Sequence, residues 1–182
     1  MSLIYSAAIL AGGRSSRFGS DKARHLYGGK ALIQHVVDSL SSAAERYVVS
    51  AESYLDLPHY PDLNPQQGPL GGLETALHHA QHEWLALAAC DLPHLSPEYW
   101  SGLAQRASGQ VTLVVTDRPQ PLAAFYHAST LDTVRSQLVR GERSLDALLS
   151  QLEVNAVSLE DLGVSEATLL NVNDSSDLDK LA

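Results

Sequence analysis

The sequence has little of what marks several common protein classes. Its 182 residues include one cysteine, Cys90, so no internal disulfide can form, and this composition favours a reducing cytoplasm. The longest apolar runs are far shorter than the roughly 20 residues that cross a bilayer. Residues 1–5 lack the basic and then apolar pattern of a signal peptide. We therefore expect a cytoplasmic protein with no membrane partner.

Positive charge is also scarce, but it is unevenly placed. The net charge is −9, whereas proteins that hold DNA or RNA by its backbone usually carry a basic surface, so no nucleic-acid partner is expected. Five of the twelve Lys and Arg residues lie within the first thirty positions, where Asp21 is the one acid. A basic cluster on an acidic protein favours a small anionic ligand over a polymer.

Apolar periodicity predicts strands that alternate with helices along the whole chain. This order is typical of an α/β fold with a doubly wound, mainly parallel sheet, and we expect one domain over residues 1–182. The predicted strands are 6–10, 47–49, 84–89, 111–116, 122–126, 154–157 and 169–170. The predicted helices are 31–40, 73–81, 97–107, 129–139, 144–152 and one from Ser175. Loops 11–29, 56–72 and 91–96 each follow a strand, so they can share the ligand edge of the sheet.

A glycine-rich segment directly follows the first strand. Adjacent glycines let backbone N–H groups approach an anion closely, and the basic residues that follow can neutralise a triphosphate. The spacing is that of neither a P-loop nor a Rossmann G-x-G-x-x-G turn. The segment reads Leu10-Ala11-Gly12-Gly13-Arg14-Ser15-Ser16-Arg17-Phe18-Gly19-Ser20-Asp21-Lys22.

A carboxylate comes just after the third strand, in Cys90-Asp91-Leu92-Pro93. At the ligand edge of a sheet, Asp91 suits Mg²⁺, which takes one or two carboxylates together with phosphates and water. A loop or capping aspartate is the simpler alternative. Cys90 is interpreted as a packing residue, and the His-x-x-x-His spacing of His78 and His82 as structural because no further metal ligand is evident.

Taken together, these segments resemble the molybdenum cofactor guanylyltransferase family of nucleotidyltransferases. The pattern Leu-Ala-Gly-Gly-x-Ser-x-Arg-x-Gly-x-Asp-Lys ends at Lys22, and four later segments follow in the family's order. They are Gly68-Pro69-Leu70-Gly71-Gly72-Leu73, Cys90-Asp91-Leu92-Pro93, Gln120-Pro121-Leu122-Ala123 and Asn171-Val172-Asn173. The resemblance implies a Rossmann-like nucleotidyltransferase fold, as in the nucleotide-diphospho-sugar transferases.

The resemblance also implies roles for individual residues. Lys22, Arg17 and Asp91 would be catalytic, and Asp91 with Asn173 would hold Mg²⁺, with Asn171 as the alternative. The nucleotide would be bound by Leu10, Ala11, Gly12, Gly13, Lys22, Ser50, Asp62 and Asp91. Ser50 departs from the family, which typically has Asn at this position. A turn aspartate stays the alternative for Asp62, and a helix N-cap stays the alternative for the Asn171–Asn173 segment.

The implied reaction is transfer of GMP from GTP to the molybdopterin cofactor with release of pyrophosphate. GTP and molybdopterin are therefore the expected partners, and the 120–123 and 140–144 segments are candidates for binding the pterin. A monomer or weak homo-oligomer with transient contacts to other cofactor-biosynthesis proteins is expected. The alternatives are a molybdenum cofactor cytidylyltransferase, a sugar-1-phosphate nucleotidyltransferase and a nucleotide-binding protein without catalysis. Retention of both Lys22 and Asp91 argues against the last.

Overall fold

A seven-stranded sheet forms the centre of the molecule. The structure is a computed structural model, and it describes residues 3–11 and 21–172. The sheet strands are β1 (Ser6–Leu10), β4 (Glu45–Val49), β5 (His59–Tyr60), β6 (Trp84–Ala89), β7 (Val111–Val115), β8 (Pro119–His127) and β9 (Val154–Val157). A separate hairpin pairs β2 (Leu26–Tyr27) with β3 (Lys30–Ala31).

The strand order is β5-β4-β1-β6-β8-β7-β9. The pairs β4–β5, β1–β4, β1–β6 and β7–β9 are parallel, whereas β8 runs antiparallel to both of its neighbours. The predicted mainly parallel sheet is confirmed. Because β7 and β6 are both antiparallel to β8, the end of β7 lies at the same edge of the sheet as the end of β6.

Six helices lie along the described part of the chain. They are α1 (Leu32–Ser39), α2 (Gly68–His79), α3 (Pro97–Gln105), α4 (Leu131–Val139), α5 (Leu145–Leu149) and α6 (Leu159–Leu162). Short 3-10 helices occupy Lys22–Arg24, Ala128–Thr130 and Glu166–Leu169. Within residues 3–11 and 21–172, no helix is long and apolar enough to span a membrane.

Side chains alternate across the sheet and supply two separate cores. In β6, Leu85 and Leu87 face one core while Ala86 and Ala88 face the other. Helices α1 and α3 cover the alanine side, and α2, α4 and α5 cover the leucine side. Each fully buried leucine contributes about 1.5–3 kcal/mol relative to an exposed one. The predicted doubly wound arrangement is therefore confirmed, because helices cover both faces.

Two element predictions need correction. Helix α2 begins at Gly68, five residues before the predicted start at Leu73, because Pro69 suits the first turn of a helix and the following glycines continue it. The predicted strand at 169–170 is instead the end of a 3-10 turn, closed by backbone hydrogen bonds from Thr168 to Ser165 and from Leu170 to Ala167. The predicted helix from Ser175 lies outside the described residues. The single-domain prediction stays a prediction.

Candidate active site

Three neighbouring parallel strands end side by side and set the position of the site. The Ala11 N–H donates to the Val49 carbonyl at 3.2 Å, and the Cys90 N–H donates to the Leu10 carbonyl at 3.1 Å. The loops that follow β1, β4 and β6 therefore leave from one edge of the sheet. Leu10 and Ala11, which were predicted to meet the nucleotide, lie at this edge, and Ala11 is buried.

The centre of the site is an ion pair between Lys22 and Asp91. Lys22 Nζ lies 3.0 Å from Asp91 Oδ2, although the two residues are 69 positions apart in the chain. Their side chains are 17% and 21% exposed, so the pair is largely shielded yet reachable by a ligand. The structure therefore brings together two residues that the sequence assigned separately to phosphate and metal.

The second oxygen of Asp91 is the most informative atom of the site. Asp91 Oδ1 is buried, and no hydrogen-bond partner for it occurs among the described residues. A buried carboxylate oxygen without a partner costs free energy, so such an atom needs an explanation. A divalent cation bound at Oδ1 would be such an explanation, because a carboxylate oxygen is a suitable ligand for it.

A single carboxylate such as Asp91 is compatible with Mg²⁺. Among residues 3–11 and 21–172, no group of three or more His, Cys, Asp or Glu side chains is arranged to hold a metal ion. Zinc usually needs such a group, whereas Mg²⁺ accepts one or two carboxylates and completes its shell with phosphates and water. The residues present therefore fit a magnesium ion that arrives with a nucleotide.

The last described residues also reach Asp91. The Val172 N–H donates to the Asp91 carbonyl at 3.0 Å, and Val172 is fully buried. Asn171, the alternative metal ligand, is exposed and next to this contact. Asn173, the predicted ligand, lies outside the described residues, as do Gly12, Gly13, Arg14 and Arg17.

A hydrogen-bonded cluster fixes the backbone on which Lys22 stands. Asp21 caps the 3-10 helix that begins at Lys22 and accepts from the Ala23 N–H at 3.1 Å. Its Oδ2 accepts from the Tyr54 hydroxyl at 2.7 Å and from Arg24 Nε at 3.0 Å. The Arg24 guanidinium also lies 4.7 Å from the Tyr54 ring centre. Burial, followed by the hydrogen bond and charge of Asp21, raises the pKa of Tyr54, which keeps this hydroxyl a donor.

Tyr54 was not predicted from the sequence. It lies in the loop after β4 and is 5% exposed, and its hydroxyl meets Asp21 across 33 residues of chain. No local pattern around Tyr54 indicates such a contact. The loop that carries Ser50 is therefore tied to the segment that carries Lys22.

Ser50 lies where β4 ends and is buried. Its N–H donates to the Tyr60 carbonyl at 2.8 Å, and its hydroxyl oxygen accepts from the Glu52 N–H at 2.9 Å. The side chain thus stabilises its own turn. Contact between the Ser50 side chain and a nucleotide stays a prediction.

Asp62 follows β5 by two residues and lies on the loop that leads to α2. Its side chain belongs to an exposed residue, but nearby protein atoms reduce the hydration of its carboxyl group and raise its pKa. The loop is not brought into contact with Lys22 or Asp91 by any hydrogen bond between the described residues. Because β5 runs parallel to β4, this loop leaves the sheet at the same edge as the loops after β1, β4 and β6.

The start of α2 packs tightly against β1. A Cβ on Gly72 would meet the Leu10 side chain at 3.0 Å and 3.2 Å, so any larger residue here would require Leu10 to shift by a few tenths of an ångström. The Gly68–Leu73 motif therefore brings the first turns of α2 to the edge where β1 ends, through contact with Leu10.

The other flank of Asp91 is formed by β8. The β6–β8 pairing ends with Ala88 opposite Ala123, so Gln120 to Leu122 continue beside the start of the 91–96 loop. Gln120 is half-buried, and its Nε2 donates to Thr116 Oγ1 at 3.2 Å. From the 140–144 segment, Arg143 Nε donates to Gln67 Oε1 at 2.8 Å, just before α2 begins. Of the two segments that are candidates for binding the pterin, 120–123 thus lies beside the 91–96 loop and 140–144 contacts the residue before α2.

Two other side chains agree with their structural interpretation. Burial raises the pKa of the Cys90 thiol to about 12, so this thiol is a poor nucleophile. His78 Nδ1 lies 3.3 Å from a guanidinium nitrogen of Arg135, so this histidine links α2 to α4.

Comparison with known proteins decides the family. The family model described as "MobA-like NTP transferase domain" matches residues 7–156 of the chain. The chain belongs to this family. The match includes Lys22 and Asp91 and most of the strands that form the site.

Individual relatives agree with the match. The chain is 37% identical to a probable molybdenum cofactor guanylyltransferase of Deinococcus radiodurans, over 97% of this chain and 93% of that protein. It is 31% identical to a probable molybdenum cofactor guanylyltransferase of Bacillus cereus (strain AH187), over 93% of this chain and 91% of the relative. The resemblance inferred from the sequence motifs is confirmed.

Solved structures confirm the fold. Molybdopterin-guanine dinucleotide biosynthesis protein A from Archaeoglobus fulgidus is similar with a TM-score of 0.83 and 26% identity, covering 97% of this chain and 96% of that one. The 2-C-methyl-D-erythritol 4-phosphate cytidylyltransferase of Thermus thermophilus has a TM-score of 0.71 at 18% identity, covering 100% and 97%. The latter shares the fold alone. The predicted nucleotidyltransferase fold is therefore correct.

Proposed function

We propose that this protein transfers GMP from GTP to the molybdopterin cofactor and releases pyrophosphate, forming molybdopterin guanine dinucleotide. Membership of the MobA-like family and the named relatives support this reaction class. The structural observation that carries the proposal is the Lys22–Asp91 pair at the edge where β1, β4 and β6 end, with the buried Asp91 Oδ1 left for a ligand.

The strand order suggests how two substrates meet. Strands β1, β4 and β5 lie on one side of β6, and β8 and β7 lie on the other. The predicted nucleotide residues Leu10, Ala11, Ser50 and Asp62 belong to the first side. We assign GTP to that side and the pterin to the side of Gln120, so that Asp91 stands between them.

The chemistry requires positioning and charge neutralisation rather than a covalent enzyme group. A terminal phosphate oxygen of molybdopterin would attack the α-phosphorus of GTP, and the bond from that phosphorus to the bridging oxygen of pyrophosphate would break. In this scheme Lys22 turns from Asp91 toward the leaving pyrophosphate and neutralises its charge. Arg17 is assigned the same task from its position in the sequence.

Mg²⁺ is the cofactor that we propose for the site, held by Asp91 and by Asn173 or Asn171. Such an ion supplies Lewis-acid polarisation of phosphoryl oxygens when it is bound. For the protein itself, Asp91 has two tasks. One oxygen orients Lys22, and the other is kept buried and free of hydrogen bonds from the described residues, ready for the ligand.

Base choice is assigned to Asp62. Guanine presents two adjacent N–H donors, at N1 and the 2-amino group, and a carboxylate can accept both. A site built around such hydrogen bonds rejects bases that lack them, because its polar groups would then be left unpaired. Cytosine and uracil do not present this pair of donors.

The proposal is tested by nucleotide preference. Purified protein is incubated with molybdopterin, Mg²⁺ and either GTP, CTP or UTP, and pyrophosphate release is measured. We expect kcat/KM to be highest for GTP by at least about 10²-fold, the discrimination typical of a hydrogen-bonded base site. Higher turnover with CTP would instead identify a cytidylyltransferase, and GTP binding without turnover would identify a non-catalytic protein.

A further inference from the structure

Helix α2 carries a buried carboxylate that the reaction scheme does not use. Glu74 is 5% exposed and lies in the second turn of the helix. Its Oε2 accepts from Asn64 Nδ2 at 2.7 Å, and its Oε1 lies 3.3 Å from Arg135 Nε of α4. Burying a carboxylate carries a desolvation cost that its partners must offset, so a buried Glu at this position needs an explanation.

The contact with Asn64 belongs to a set that holds the loop between β5 and α2. The Leu63 N–H donates to Thr75 Oγ1 at 3.0 Å, which places two successive loop residues on two successive helix residues. A Cβ on Gly71 would lie 2.7 Å from Gln67 Cβ and 3.3 Å from the Asn64 carbonyl oxygen. The loop therefore lies directly on the first turns of α2, and Gly71 leaves the room for it.

Asp62 is the residue immediately before this anchored pair. At its other end the loop is tied to the sheet, because the Ser50 N–H donates to the Tyr60 carbonyl at 2.8 Å. Asp62 thus lies between two fixed points of the chain, the hydrogen-bonded end of β5 and the Leu63–Asn64 contacts with α2. Asn64 is itself an exposed residue, so its side chain contributes little to the core and acts mainly through its bond to Glu74.

We propose that Glu74, acting through Asn64, is a positioning residue that sets the selectivity of the site for guanine by fixing the loop that carries Asp62. This inference rests on the proposed guanylyl transfer and adds the Glu74–Asn64 contact as the feature that makes Asp62 selective. Two hydrogen bonds to one edge of a base require a carboxylate held to within a fraction of an ångström. If the loop is loosened, water or a shifted base can supply the hydrogen bonds that Asp62 accepts, so discrimination between guanine and other bases falls.

The experiment compares GTP with inosine triphosphate (ITP), which differs only by lacking the 2-amino group. The measured quantity is the ratio of kcat/KM for GTP to that for ITP, with molybdopterin and Mg²⁺ present. For Asn64→Ala we expect this ratio to fall by about 10-fold, the value of one hydrogen bond to a charged group. We expect the loss to appear mainly as a higher KM for GTP, with kcat changed less than about threefold.

The matched control is Asn155→Ala. Asn155 Nδ2 donates to the Arg106 carbonyl at 2.7 Å on β9, at the opposite end of the strand order from β5. This variant also loses one amide hydrogen bond, so it reports what general destabilisation does to the ratio. We expect its GTP/ITP ratio to equal that of the wild type.

A second variant tests whether Glu74 and Asn64 act as one device. Glu74→Leu fills the buried space but removes both acceptor oxygens, and it should lower the GTP/ITP ratio as Asn64→Ala does. In the double variant the ratio should fall no further than in the single ones, because they break the same contact. Multiplied losses would show independent action and overturn the proposal.

The outcomes separate this inference from the proposed function. If the wild type prefers GTP over ITP and Asn64→Ala keeps that preference, the positioning role is wrong and guanylyl transfer stands. A wild type that does not distinguish GTP from ITP also overturns the inference. A wild type that prefers CTP to GTP overturns the proposed function itself.

Discussion

The two sides of β6 differ in how their strands reach the site. On the β1–β4–β5 side every strand is parallel to its neighbour, and each ends at the same edge with a separate loop. On the β8–β7 side the chain turns back at that edge, so a single hairpin end serves both strands. The first side offers several loops that can surround a nucleotide, whereas the second offers one short turn beside Asp91.

The hydrogen bonds follow the same division. On the proposed nucleotide side, the Tyr54–Asp21 contact joins a loop to a segment 33 residues away, and the Glu74–Asn64 contact joins a loop to the helix that follows it. On the acceptor side, Gln120 bonds within its own turn, to Thr116 and the Arg118 carbonyl. The proposed nucleotide side therefore has a contact that ties the Lys22 segment to a distant loop, whereas the 116–120 turn is held by its own residues, so we expect single substitutions at the former to have larger effects.

The largest effect is expected from Lys22→Ala. Loss of this cation leaves charge on the leaving pyrophosphate unbalanced, and kcat should fall on the order of 10²-fold or more. The measurement is pyrophosphate release under saturating GTP and molybdopterin. Lys30→Ala is the control, since Lys30 bonds Asp38 at 2.9 Å on an exposed surface and should be replaceable without loss. A wild-type rate for Lys22→Ala would remove the assigned role.

A smaller effect on the same side is expected from Tyr54→Phe. The variant lacks the Tyr54 hydroxyl, so Asp21 loses one of the hydrogen bonds that fix the start of the Lys22 segment. We expect kcat/KM for GTP to fall by about 10-fold. Tyr47→Phe is the matched control, because the Tyr47 hydroxyl bonds the Ala76 carbonyl at 2.5 Å near the end of α2, away from Lys22. Equal losses in both variants would mean that the effect is general destabilisation.

The fold could be read from the sequence because its signals are local. The continuous apolar run of β6, which is buried on both faces, and the helical period of α1 each specify an element without reference to the rest of the chain. The start of α2 was placed late because Gly68 to Gly72 resembles a loop, whereas Pro69 is suited to the first turn of a helix and the glycines continue it.

The site was only partly predictable for a related reason. Asp91 was chosen by its position after a strand and Lys22 by its motif, and the structure places the two side chains 3.0 Å apart. Tyr54, Glu74 and Asn64 act through contacts across 33 and 10 residues of chain that no spacing rule specifies. Such residues become visible only when the loops are folded against one another.

On the acceptor side a modest effect is expected from Gln120→Ala. Without the hydrogen bond from Gln120 to Thr116, the 116–120 turn should loosen. The KM for molybdopterin should then rise by about threefold, while the KM for GTP stays unchanged. Steady-state kinetics with each substrate varied in turn measures both. A change confined to the KM for GTP would contradict the assignment of the two substrates to the two sides of β6.

The smallest effect is expected at Cys90, which lies on the border between the two sides. With its pKa raised to about 12, this thiol stays protonated near neutral pH and should react far more slowly with iodoacetamide than an unperturbed cysteine does. Reaction should become fast in denaturant, and Cys90→Ala should keep the wild-type kcat. Rapid labelling of the native protein would contradict the burial of the thiol.

The most direct test follows both products with and without the carboxylate of Asp91. Wild-type protein, GTP, Mg²⁺ and molybdopterin are incubated, and pyrophosphate and the dinucleotide are quantified by mass spectrometry beside Asp91→Asn and the exposed control Asp132→Asn. The proposed reaction predicts equal amounts of the two products from the wild type and the control, and a rate reduced at least about 10²-fold in Asp91→Asn. Pyrophosphate without dinucleotide, or an unchanged rate and Mg²⁺ dependence in Asp91→Asn, would contradict it.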